Sequence, residues 1–240
     1  MQDRVAVAVV AKAPRPGHVK TRLQGVLSPE EASALGTAFL QDTVDNLHAA
    51  SRLAPIAPVV AYAPAGQEGR FDGLLAPGTA LLLAEGTNGA AEGVEGFGRV
   101  LLETIRALLA QGYAAACVLG ADSPTLPTEE LVRLADLLRG GDCDAVLGAV
   151  DDGGYYVLGL RAPHSAPFAR IRWSTDHAGA DTRARLREAG LRTEELRPWF
   201  DVDDPAALRR LLDDRDGYAA PHTMSALTRF GLRERLRTTV

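Results

Sequence analysis

Short, unbroken apolar runs alternate along the chain with stretches in which apolar residues return every three or four positions. Runs at 5–11, 58–62, 80–84, 115–120, 145–150 and 155–160 are bounded by turn residues and predict strands. Most show no period-two alternation, which is how a strand covered on both faces reads. Ser28-Pro29-Glu30-Glu31 is a capping box with proline at the first helical position, and it predicts a helix to about residue 50. The stretch GRVLLETIRALLAQ at 98–111 has helical spacing and stops at Gly112. Residues 128–139, 175–189 and 205–213 follow the same logic. Strands alternating with helices predict an α/β fold, a single domain built on a mostly parallel sheet with helices on both faces. Residues 1–215 are expected to form that domain, and 216–240 a C-terminal helical extension packed on it.

Composition narrows the function classes. With 240 residues, 46% hydrophobic and 24% charged, the chain can bury a large core, which rules out disorder as its main state. Cys117 and Cys143 both sit in apolar runs and form neither a disulfide framework nor a CxxC zinc pair, so a reducing, cytoplasmic setting is expected. No apolar run reaches the roughly 18 residues of a membrane span. The first residues, MQDRVAVAVVAKAP, read as a buried strand rather than a signal peptide. A net charge of −5 and a pI near 5.6 argue against a duplex-nucleic-acid binder but leave room for one local anion site. The motifs GxxxxGK[ST], GxGxxG after the first strand, HExxH and GxSxG are absent, and the five histidines have no ligand spacing.

The candidate chemistry lies where the apolar runs end, since ligands of open α/β sheets bind beyond the carboxyl ends of the strands. Of the 26 Lys and Arg residues only Lys12 and Lys20 are lysines, and both fall in KAPRPGHVK after the first strand. With Arg15 and Arg22 they make a loop of four cations and no anion, a pattern that suits a polyphosphate and otherwise reads as a solvated turn. Asp122 follows the run ending at Gly120, Asp151 and Asp152 follow Val150, and Asp201, Asp203 and Asp204 precede Pro205. Carboxylates at three element ends facing a cationic loop suit a Mg²⁺-bound polyphosphate. Each also has a plain structural reading. Asp122 can bond its own turn, Asp203 and Asp204 can cap a helix, and Asp-Gly-Gly before Tyr155 fits a hairpin.

Five stretches in order, KAPRPGHVKTRL, VLGADSPTLP, DAVLGAVDDGGYYVLGL, IRWST and FDVDDPAAL, resemble the DUF2064 group of glycosyltransferase-A-like or CofC-like transferases. The resemblance runs from about residue 5 to 212. It implies a nucleotide-diphospho-sugar transferase fold, GT-A-like and Rossmann-like. It also implies a Mg²⁺- or Mn²⁺-dependent nucleotidyltransferase that joins a nucleoside monophosphate to a phosphorylated small-molecule acceptor and releases pyrophosphate. The partners implied are a nucleoside triphosphate or nucleotide-sugar and a small acceptor, with no nucleic acid and no membrane, and with a homodimer left open. Carried over residue by residue, Lys20, Arg22 and Asp122 are catalytic, while Lys12, Arg15 and Thr21 join them on the nucleotide. Asp122, Asp201 and Asp203 hold the metal. Gly153, Gly154, Tyr155, Ser174 and Thr175 line the acceptor side, with Asp152 as the base if the acceptor is an alcohol and the reaction a glycosyl transfer. Family members commonly carry a Gly-Asp-Leu-Gly-x-Arg-like stretch where this chain has Glu95-Gly96-Phe97-Gly98-Arg99-Val100, a departure that bears on base and acceptor recognition. A non-catalytic nucleotide-binding protein is the third reading.

Overall fold

The computed structural model describes residues 3–12, 20–23, 25–88 and 90–238. Among them, strands β1 (Val5–Lys12), β2 (Ile56–Ala63), β3 (Ala80–Leu83), β4 (Ala115–Gly120), β5 (Ala145–Ala149), β6 (Tyr155–Leu160) and β7 (Thr193–Glu195) form one sheet. Their order is β3-β2-β1-β4-β6-β5-β7. Every neighbouring pair is parallel except those made by β6, which runs antiparallel to both β4 and β5. The expected mixed, mostly parallel α/β sheet is therefore present.

Helices cover both faces: α1 (Pro29–Ser51), α2 (Phe97–Ala110), α3 (Thr128–Gly140), α4 (Ala178–Glu188), α5 (Pro205–Asp213), α6 (Pro221–Arg229) and α7 (Leu232–Thr238). Alternate residues of β1 serve two cores. Val5, Val7 and Val9 pack with Leu35, Phe39 and Leu47 of α1 and with α3, α5, α6 and α7. Ala6 and Ala8 face the other way, toward Leu101, Ile105 and Leu108 of α2 and Leu186 of α4. Each buried Leu or Val contributes about 2 kcal/mol by leaving water, so this two-sided burial dominates the stability of the sheet.

Local chemistry sets the helix ends. Ser28 Oγ accepts the Glu31 N–H at 3.2 Å while Ser28 N–H donates to Glu31 Oε2 at 2.9 Å, the capping box read in the sequence. Asp204 caps α5 by accepting the Ala207 N–H at 2.8 Å, with Pro205 next in line. On α1 the fully buried Asp42 reaches across to α6, accepting the His222 N–H at 3.0 Å and the Thr223 N–H at 2.6 Å. Two otherwise unpaired donors at the start of α6 are satisfied this way, while burial pushes the Asp42 carboxyl above its usual range.

Some elements differ from the sequence-based expectation. The apolar run at 80–84 is an edge strand, with Leu81 and Leu83 about 40% exposed, rather than a strand covered on both faces. Helix α4 begins at Ala178 rather than residue 175, because Thr175 Oγ1 donates to the Arg172 carbonyl at 2.7 Å and accepts the His177 N–H at 3.2 Å, which holds a turn. β7 was not expected, being three polar residues paired with β5 at the other edge. Among the described residues no helix is long and apolar enough to cross a membrane.

Candidate active site

The parallel register brings Lys12 of β1 level with Ala63 of β2 and Val10 level with Gly120 of β4, so three strands end on one rim. A cleft of about 660 Å³ opens there, also walled by the start of α2 and by residues 33–40 of α1. The chain returns to this rim after β7. Trp199 N–H donates to the Ala149 carbonyl at 3.0 Å, and Val202 N–H donates to the Asp122 carbonyl at 2.8 Å. That last bond clips the Asp201–Val202–Asp203 segment against the end of β4 and brings carboxylates from distant parts of the chain to one place.

Lys20 sits among them. Its backbone has φ of +50°, in the left-handed region that a non-glycine residue seldom occupies. Its ammonium lies 2.6 Å from Asp122 Oδ1 and donates to Asp203 Oδ1 and the Val202 carbonyl, each at 2.8 Å. The group also lies 5.1 Å from the centre of the Phe39 ring, and its side chain is only 6% exposed. Burial works against the charge, but Asp122 and then Asp203 outweigh it and raise the lysine above its ordinary value. Arg22 is exposed, with Nη1 3.9 Å from Asp203 Oδ2. Asp201 shares the cleft but makes no hydrogen bond or ion pair with a described residue. Desolvation first, then the negative charges of Asp203, Asp152 and Asp122, push its carboxyl up to about 7, against a partial pull downward from Lys20.

The structure thus gathers Lys20, Arg22, Asp122, Asp201 and Asp203, while Tyr155 and Ser174 line another wall of the same cleft. Ser174 has φ of +62°, a second strained residue at the site. Asp152, Gly153, Gly154 and Thr175 are not among the cleft-lining residues. Asp152 Oδ1 accepts the Gly154 N–H at 3.0 Å within its own turn. Gly153, at φ of +94°, packs so closely on the turn before α4 that a Cβ there would lie 2.0 Å from the Asp176 carbonyl oxygen. Arg15 and the side chains of Lys12 and Thr21 lie outside the described residues.

Sequence reasoning did not single out the apolar part of the cleft. Phe97, 48% exposed, lines it with Val100 and Leu101. Its ring meets Trp173 edge to face at 5.5 Å, and Trp173 meets Tyr155 at 6.3 Å. The signal was a lone phenylalanine between two glycines, in the stretch noted above as departing from the family pattern. Among the described residues no three potential metal-ligating side chains form a group that would hold an ion unaided.

The seven-stranded, mostly parallel sheet with its cleft at the strand ends has the α/β fold of the nucleotide-diphospho-sugar transferase class, as the solved structures it resembles show. The chain is similar to a candidate nucleotide-diphospho-sugar transferase from Desulfovibrio desulfuricans G20, with TM-score 0.80 and 24% identity over 98% of this chain and 99% of that one. It is also similar to CMP:2-keto-3-deoxy-manno-octonic acid synthetase complexed with CTP (TM-score 0.54, 13% identity, 87% and 96% covered). A third likeness is to 4-diphosphocytidyl-2C-methyl-D-erythritol synthase (TM-score 0.51, 15% identity, 88% and 99% covered). No curated protein matches it by sequence. Residues 44–175 match the family described as "Uncharacterized protein conserved in bacteria (DUF2064)", and the chain belongs to that family.

Proposed function

We propose that the protein is a divalent-metal-dependent nucleotidyltransferase, transferring a nucleoside monophosphate from a nucleoside triphosphate to a phosphorylated small molecule with release of pyrophosphate. One observation carries the reading: Lys20, Asp122, Asp201 and Asp203 converge in a cleft at the carboxyl ends of the strands. The residues fit a Mg²⁺ or Mn²⁺ ion. The donors are all oxygens, three carboxylates face one buried ammonium and one exposed guanidinium, and Asp201 is left without a bonded cation. Mg²⁺ typically takes one or two carboxylates together with substrate phosphates, so the carboxylates here suffice for an ion that arrives with its nucleotide.

Asp122 and Asp201 are the proposed ligands, with Asp203 beside them. When bound, the ion supplies Lewis-acid neutralisation of the phosphate oxygens. An acceptor phosphate oxygen attacks the α-phosphorus in line, the bond to the bridging oxygen breaks, and the electron pair leaves on pyrophosphate. A phosphate monoester is already anionic at neutral pH, so no base is needed, and the protein's work is positioning and charge neutralisation. Lys20 and Arg22 lie where that charge develops, with Lys12, Arg15 and Thr21 completing the loop. Tyr155 and Ser174 face the acceptor, and Gly153, Gly154 and Thr175 shape the turn and the start of α4 behind them.

A second reading, glycosyl transfer from a nucleotide-sugar to an alcohol, is favoured by a different observation. Among the described cleft residues, the half-exposed Phe97 lies with Tyr155 and Ser174, an aromatic and hydroxyl-bearing surface that suits an alcohol acceptor. Asp152, the base candidate of that reading, accepts the Gly154 N–H within its own turn, and its charge reaches Asp201 in the cleft. A thermal-shift screen with Mg²⁺ separates the readings. Stabilisation by nucleoside triphosphates, followed by pyrophosphate release on adding phosphorylated acceptors, supports nucleotidyl transfer. Stabilisation by nucleotide-sugars alone overturns it in favour of glycosyl transfer.

A further inference from the structure

Lys20 stands in the place where a cation is wanted. An ammonium has three N–H donors, and here three acceptors meet it: Asp122 Oδ1, Asp203 Oδ1 and the Val202 carbonyl. Its stem is buried and the charge lies near the Phe39 ring, so this is a seated ion and not a mobile surface lysine that happens to reach a carboxylate. The Asp122 oxygen that holds the ammonium at 2.6 Å is therefore engaged, and a divalent ion placed on that carboxylate would stand within a few ångströms of a buried positive charge. The backbone contributes as well. Lys20 has a left-handed backbone, and the Val202 N–H bond to the Asp122 carbonyl holds the two backbone segments that carry its acceptors side by side.

We propose that Lys20 is a resident counter-cation that keeps a divalent ion off Asp122 until a polyphosphate arrives. The inference rests on the transferase reading of the site and adds an order of binding to it. A free metal ion gains two carboxylates but meets the ammonium. A metal–polyphosphate complex, which is net anionic, offers the ammonium phosphate oxygens in exchange for Asp122, so the swap leaves no charge unpaired. Metal and donor then enter together, and the ion is not stored in the resting protein.

Equilibrium dialysis with Mn²⁺ tests this on the full chain, for wild type and for Lys20→Met and Lys20→Gln. Methionine keeps the unbranched stem over Phe39 without the charge, and glutamine keeps an N–H donor for the Val202 carbonyl. Both variants are expected to retain Mn²⁺ at least tenfold more tightly than wild type when no anion is present. Wild type is expected to gain at least tenfold when inorganic tripolyphosphate is added, and the variants to gain less. Variants that bind Mn²⁺ no more tightly than wild type, with wild type still responding to tripolyphosphate, would overturn the counter-cation role and leave the metal site standing. Failure of all three proteins to retain Mn²⁺ with or without tripolyphosphate would overturn the metal reading itself. Should a variant not fold, the wild-type arm decides alone: tight Mn²⁺ binding without any anion contradicts the proposal.

Discussion

Replacing Asp201 with Asn removes a carboxylate that the folded protein holds at about 7, against 3.8 for a free side chain. The displaced equilibrium has a sign. Between about pH 4 and 7 the folded protein keeps a proton on Asp201 that the unfolded chain has released. The stability tied to that proton is complete below about pH 4 and is lost as the pH rises through about 7. At about 1.4 kcal/mol per unit the shift sets a ceiling of about 4 kcal/mol. The carboxyl keeps some contact with solvent, which screens its neighbours, so about 1–2 kcal/mol is the expected size. Asparagine resembles the protonated acid and carries no charge at any pH. Urea unfolding in EDTA should therefore find Asp201→Asn more stable than wild type by about 1–2 kcal/mol at pH 8 and by well under half of that at pH 5. The same difference at both pH values would refute the crowding of carboxylates on which the metal reading depends.

Three further outcomes follow from the geometry. Asp42→Ala leaves the buried N–H groups that begin α6 without an acceptor and should cost about 2–4 kcal/mol in urea unfolding; an unchanged midpoint would mean that water replaces the carboxylate at no loss. Gly153→Ala combines a left-handed φ with a Cβ 2.0 Å from the Asp176 carbonyl oxygen, so it should lower stability by about 2 kcal/mol or more; a thermal midpoint equal to wild type would contradict the close packing of that turn on α4. Phe97→Ala removes a half-exposed ring and its edge contact with Trp173, so stability should change by about 1 kcal/mol or less while ligand affinity falls; affinity equal to wild type would take Phe97 out of the binding cleft.

The fold was legible where local chemistry repeats itself. The capping box at Ser28, the apolar runs of β1 and β4 and the glycine after α2 are short-range patterns, and each element lies within a few residues of where its pattern puts it. Burial was less legible, because an apolar run does not say whether its strand will lie inside the sheet or at its edge, as 80–84 did. β7 left no signal, since three polar residues join a sheet only through a neighbour 48 residues earlier. The site divides along the same line. Its residue types and their places after strands are readable in the chain, and the structure gathers Lys20, Asp122, Asp201 and Asp203 in one cleft. That Lys20 would bridge Asp122 and Asp203, the latter 183 residues away, depends on the backbone bond from Val202 to Asp122, which no sequence pattern encodes. Asp152 and Thr175 looked alike on paper as site residues, and both bond their own turns.

The most direct test of the central claim is isothermal titration of each nucleoside triphosphate into wild type and Asp122→Ala, with Mg²⁺ and again with EDTA. Asp122 is about half exposed and the Lys20 ammonium keeps Asp203 and the Val202 carbonyl, so the variant should stay folded, which its thermal midpoint checks. The account predicts that at least one nucleoside triphosphate binds wild type tightly in Mg²⁺, at least tenfold more weakly in EDTA, and at least tenfold more weakly to Asp122→Ala in Mg²⁺. Equal binding to the folded variant, or binding indifferent to Mg²⁺, would contradict it.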